Sequence, residues 1–83
     1  MELQQQFEAS VANSKNLTEK PSNEILLKIY SLFKQATEGD ITGDRPGGFD
    51  FKGAAKYDAW KKIEGKAKEE CMQEYIELIA SLS

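Results

Sequence analysis

Leu3, Phe7 and Val11 stand four residues apart and predict one apolar face of a first helix, about Leu3 to Ser14. The polar run "NSKNLTEKPSNE" follows, and its Pro21 and Ser22 or Asn23 suit the start of a second helix. That helix is expected through "EILLKIYSLFKQATE" and to stop at Gly39. Its apolar positions, from Ile25, Leu26 and Leu27 through Ile29, Tyr30, Leu32, Phe33 and Ala36, fill more than one stripe. A helix with so wide an apolar surface is central to its fold, or else gives one side to a ligand groove.

The next segment, "GDITGDRPGGFDFKG", holds most of the glycines. It exceeds the usual helix–helix connection of about two to eight residues. Ordered loops of this length serve a site or join helices that run parallel. A third helix is expected from Gly53 to Glu64, with Ala55, Ala59, Trp60 and Ile63 at helical spacing, and Gly65 breaks it. In the fourth, "AKEECMQEYIELIASL", Cys71, Met72, Tyr75, Ile76, Ile79 and Leu82 share a face. No alternating run of β-branched residues competes. The pattern predicts an all-α fold of four helices in a single domain, residues 1–83.

Composition narrows the function classes. With 83 residues, 40% hydrophobic and 30% charged, the chain suits a small globular domain. Its net charge of −3 argues against a nucleic-acid binder. The chain has no histidine, which removes the commonest general base and metal ligand, so no metal site is expected. The single Cys71 fits a reducing compartment and a small core residue. No apolar run is long enough to span a bilayer, and the N-terminus lacks a signal-peptide core. These features point to a cytoplasmic monomer without stable membrane insertion.

Several motifs fail on their chemistry. Asp40, Thr42 and Asp44 open like a calcium loop, but Phe51 takes the place of the closing glutamate. The glycines at 47, 48 and 53 lack the Gly-Lys-Ser/Thr of a phosphate loop. Asn16-Leu17-Thr18 is a formal glycosylation sequon with no secretion signal before it. Glu69 and Glu70 are adjacent and diverge on a helix, so they make no acid/base pair.

The lysines near aromatic residues are more informative. Between Arg45 and Lys68 the chain carries seven positive residues against three negative ones, in an otherwise negative sequence. Lys61, Lys62, Lys66 and Lys68 suit a solvated helix face. Lys34, Lys52 and Lys56 each stand beside, or one turn from, an aromatic: Tyr30 and Phe33, Phe51, Tyr57 and Trp60. Tyr30 and Lys34 share a face at i,i+4. Such lysines snorkel from apolar surface, or they converge with the rings on a nucleotide phosphate whose base stacks nearby.

The ordered runs Lys34-Gln35-Ala36-Thr37, Gly39-Asp40, Arg45-Pro46-Gly47, Asp50-Phe51-Lys52-Gly53 and Lys56-Tyr57-Asp58-Ala59-Trp60 together resemble the acyl-CoA-binding protein family. The resemblance extends from about Leu3 to Leu82. It implies an up-down-down-up four-helix bundle, whose parallel middle helices would explain the long loop. It also implies non-catalytic binding and intracellular carriage or buffering of medium- to long-chain fatty acyl-CoA, with no cofactor. By the same resemblance, Tyr30, Lys34 and Lys56 hold the adenosine 3′-phosphate, Tyr75 meets the head group and Lys15 lies near the phosphates. Leu26 and Leu27 match the acyl-chain groove, which Phe33 and Val11 would shape. Lys20, Lys52 and Arg45 match basic positions common in the family, and Arg45 and Asp50 suit ordering of the loop equally well.

The sequence departs from the family at several places. Phe33 stands where a second tyrosine is common, Val11 where alanine is common, and Tyr57 where tryptophan is usual. Two other readings stay open on the residues alone. One is a helical module whose basic aromatic face docks an acidic peptide; the other is a weak enzyme acting on CoA esters, for which no nucleophile is evident.

Overall fold

The computed structural model describes residues 2–82. Within them lie α1 (Leu3–Ser14), α2 (Asn23–Glu38), α3 (Phe51–Lys61) and α4 (Lys68–Leu82), with no strand among the described residues. The Ser22 side chain caps α2 by accepting a hydrogen bond from the Ile25 N–H at 3.3 Å. At the other end Gly39 takes φ 83°, where a side chain would be strained.

α3 starts two residues before the expected Gly53, because the Asp50 carboxylate accepts the Gly53 N–H at 2.9 Å and caps the helix there. It also ends short of Glu64. The N–H groups of Ile63 and Glu64 turn back to the carbonyls three residues earlier, Trp60 and Lys61, which tightens the chain out of the α-helix. Gly65, at φ 90°, then redirects it.

α2 packs against both α3 and α4, and α4 also packs against α1. The broad apolar surface of α2 is thereby explained: like α4, it has neighbours on two sides. Near the start of α2, Asn23, Leu26 and Leu27 face Phe51 and Ala55 at the start of α3. Near its end, Gln35 and Gly39 bond to Trp60 near the end of α3. The two middle helices therefore run parallel, which is what the long 39–50 connection allows. Gln35 also reaches Lys66 just before α4, while Lys28 near the start of α2 lies by Glu77 and Leu78 near the end of α4. α4 is antiparallel to α2, as the up-down-down-up order requires.

The core is small and aromatic. Phe7, Leu32, Ala36, Cys71, Tyr75 and Ile79 form one buried cluster, with Val11, Ile29 and Phe33 packed on it. The ring of Phe7 meets that of Tyr75 edge-on at 5.1 Å and stacks near Phe33 at 6.1 Å. The molecule measures 42 × 28 × 15 Å, so its thinnest dimension is little more than one helix with its side chains. Such a slab leaves many apolar side chains half-covered, and those between α2 and α3 are available to a ligand.

Candidate functional site between α2 and α3

Asn23, Leu26, Leu27 and Tyr30 recur at i, i+3, i+4 and i+7 and so occupy one face of α2. Opposite them stand Phe51, Lys52, Ala55 and Lys56 of α3. With Lys20 these residues line an open pocket of about 430 Å³. Its wall is aliphatic and aromatic, its cations are Lys20, Lys52 and Lys56, and no carboxylate lines it. An amphiphile with an apolar chain and an anionic head is complementary to that distribution.

Tyr30 carries the polar end of the site. The Lys56 ammonium lies 5.3 Å from the centroid of its ring, and the Lys34 ammonium lies 5.9 Å from it. Lys34 is also 5.8 Å from the Trp60 ring. Both cations therefore sit within cation–π range of one phenol ring. The Lys34 ammonium donates to the Glu38 carboxylate at 2.7 Å, and this bond holds the lysine's pKa above its ordinary value. Lys34 is thus fully cationic and held one turn from Tyr30.

Trp60 is fixed by a buried joint. Its indole N–H donates to the Gln35 side-chain oxygen and to the Gly39 carbonyl, both at 3.0 Å. The Gln35 amide, whose residue is 1% exposed, donates to Asp40 Oδ1 at 2.8 Å and to the Lys66 carbonyl at 3.0 Å. Asp40 Oδ1 also accepts the Gly65 N–H at 2.7 Å. Hydrogen bonds from Gln35 and then from Gly65 hold the Asp40 carboxyl below the usual carboxylate range. Arg45 makes a two-pronged bond to Asp58 at 2.9 and 3.0 Å, and the Tyr57 hydroxyl donates to the Gly43 carbonyl at 3.2 Å. These contacts strap the long loop to α3, so Arg45 and Asp50 order the loop, and Tyr57 uses its hydroxyl for the same end.

The structure gathers some of the expected site residues and separates others. Leu26, Leu27, Tyr30 and Lys56 meet in the pocket, while Lys34 stands 5.9 Å from the Tyr30 ring but does not line the pocket. Val11 and Phe33 do not line it. Phe33 turns toward Phe7 and Tyr75, and Val11 packs on the same cluster. Tyr75 is 2% exposed and gives its ring to the core. Lys15 is exposed just beyond α1, away from the pocket lining. Asn23, Phe51 and Ala55 line the pocket but were not among the expected site residues, and Lys20 and Lys52, matched only as common basic positions, line it too. Splitting the apolar set of α2 into two faces would have found Asn23, since it shares the column of Leu26, Leu27 and Tyr30.

The family model described as "Acyl CoA binding protein" matches residues 4–79. The chain belongs to the acyl-CoA-binding protein family. It is 49% identical over 82 residues to the acyl-CoA-binding protein of Brassica napus, covering 99% of this chain and 89% of that one. The crystal structure of Oryza sativa acyl-CoA-binding protein 2 superposes with a TM-score of 0.93 at 47% identity, covering 98% of this chain and 90% of the other. A third relative, enoyl-CoA delta isomerase 2 of Rattus norvegicus, is 46% identical over 80 residues. That match takes in 96% of this chain but only 20% of the isomerase. The acyl-CoA-binding fold thus also occurs as a small part of a larger protein.

Proposed function

We propose that this protein reversibly binds medium- to long-chain fatty acyl-CoA esters and carries or buffers them in the cytoplasm as a monomer. The observation that carries this reading is the pair of ammonium groups, Lys34 and Lys56, at 5.9 and 5.3 Å from the Tyr30 ring, beside a pocket walled by Leu26, Leu27 and Ala55. The ammonium groups meet the 3′-phosphate, and the pocket takes the alkyl chain. Each buried methylene adds about 0.8 kcal/mol, so affinity rises with chain length until the pocket is full. The reading is non-catalytic: the sequence has no histidine, and the site presents lysines and a tyrosine without an activating base.

Calorimetric titration with palmitoyl-CoA below its micelle threshold tests the reading. One-to-one binding is expected, with CoA alone and palmitate alone each much weaker because each lacks one half of the ligand. Palmitate binding as well as palmitoyl-CoA would remove the role given to the lysines. Loss of thioester during prolonged incubation would replace the carrier with an enzyme.

A further inference from the structure

A second cavity of about 380 Å³ lies against another flank of α2, lined by Glu24, Leu27, Lys28 and Ser31 together with Ala59, Lys62 and Ile63. The pocket already described takes Asn23, Leu26, Leu27 and Tyr30 from the same helix. With 3.6 residues per turn, these two sets are centred about 100° apart around the helix axis. They share Leu27, which stands midway between the two directions and so faces α3. On α3, Ala55 lines the first cavity and Ala59 the second, one turn apart on one face. Two alanines contribute little bulk, so the branched side chain of Leu27 is the wall between the cavities.

The two spaces differ in character. The first leads from the lysines at Tyr30 along an aliphatic wall. In the second, the exposed charges of Glu24, Lys28 and Lys62 surround half-buried Ala59 and Ile63. Ser31 is buried there, but its hydroxyl already donates to the Lys28 carbonyl at 2.9 Å. An alkyl chain growing along the first cavity gains apolar contact until it meets Leu27. Beyond that residue there is room with an apolar floor, closed off by one side chain. Leu27 is half-buried and lies outside the buried core cluster, so its bulk shapes the cavities rather than filling the core.

We infer that Leu27 is the end stop of the acyl pocket and sets the chain length beyond which affinity ceases to rise. The inference rests on the acyl-CoA reading and deepens it by separating two neighbouring leucines. Leu26 lines the first cavity and not the second, and it supplies contact area. Leu27 supplies the limit.

The test is calorimetric titration with saturated acyl-CoA esters from octanoyl- to eicosanoyl-CoA, each below its micelle threshold. Affinity for the unmodified chain should climb and then level off. In Leu27→Ala it should climb past that length, by roughly fourfold for each further methylene admitted. Leu27→Phe thickens the wall and should level off at a shorter chain. Ala59→Leu added to Leu27→Ala fills the gap from α3 and should restore the original limit. Leu26→Ala should weaken the series without moving the limit. Circular dichroism checks each fold, and Leu27→Phe carries the test if Leu27→Ala unfolds. Affinity that never levels off, a limit unmoved by the Leu27 variants, or one moved as far by Leu26→Ala would each overturn the inference. An unmodified chain that binds no ester of any length sinks the acyl-CoA reading itself, whereas binding with an unmoved limit sinks the stop alone.

Discussion

The Lys56 ammonium sits 5.3 Å from the centre of the Tyr30 ring, joining α3 to α2 at the point where the pocket changes from apolar to charged. A charge-assisted hydrogen bond contributes about 1.5–3 kcal/mol, so Lys56→Ala should weaken palmitoyl-CoA binding roughly 10- to 150-fold. Lys34→Ala should act in the same range. Calorimetry checks both, and circular dichroism should show unchanged helix content.

On the proposed reading, Glu38 would compete with the ligand for Lys34. Its carboxylate accepts from that ammonium at 2.7 Å and is itself exposed, so an arriving phosphate must share or displace it. Exposed pairs are worth about 0.2–1 kcal/mol, so Glu38→Gln should raise affinity by up to about fivefold. The gain should shrink with salt. An affinity that falls in Glu38→Gln would show instead that the carboxylate's main effect is to hold Lys34 in place.

Gln35 is a stability prediction. Its buried amide bonds to Asp40, the Lys66 carbonyl and Trp60, so Gln35→Leu strands groups that α2, α3 and α4 share. Leaving a buried partner unsatisfied costs about 1–3 kcal/mol. The denaturant midpoint should fall accordingly, with the slope of the transition unchanged.

Acid should loosen the same joint. Asp40 is held below the ordinary carboxylate range by Gln35 and Gly65, and Asp58 by Arg45. A depressed folded-state pKa stabilises the ionised form. The contribution is complete above about pH 4 and is lost as pH falls through the folded-state values. Stability should therefore decline on acidification below about pH 4, and Asp40→Asn should decline less steeply while starting lower at neutral pH. Urea midpoints across that range would show it.

Where one residue type answers one physical requirement, the sequence reads directly. Ser22 or Asn23 and then Gly39 marked the ends of α2, the fourfold spacing of Leu3, Phe7 and Val11 gave α1, and the long loop left parallel helices as one of two readings until the family resemblance chose it. The start of α3 was less legible because Asp50 had to be recognised as a cap rather than a loop charge. Gln35 escaped altogether: a glutamine on a helix reads as solvated until three distant partners are seen to surround it. Phe33 and Tyr75 show the same limit from the other side. An aromatic at helical spacing suits core and groove equally, and only the mutual contact of Phe33, Tyr75 and Phe7 shows that their rings pack on one another.

The joint at Gln35 and Trp60 also divides the molecule mechanically. Near the end of α3, Trp60 is pinned to α2, while no hydrogen bond or ion pair among the described residues ties the first turn of α3 to α2. Arg45 and Tyr57 make the loop travel with α3. Measured from its tryptophan, the third helix is an arm about 14 Å long, and a swing of about 10° about Trp60 would shift the far end by about 2.4 Å. A jaw hinged at one pole can widen for the alkyl chain at the other without unmaking the joint that defines the fold.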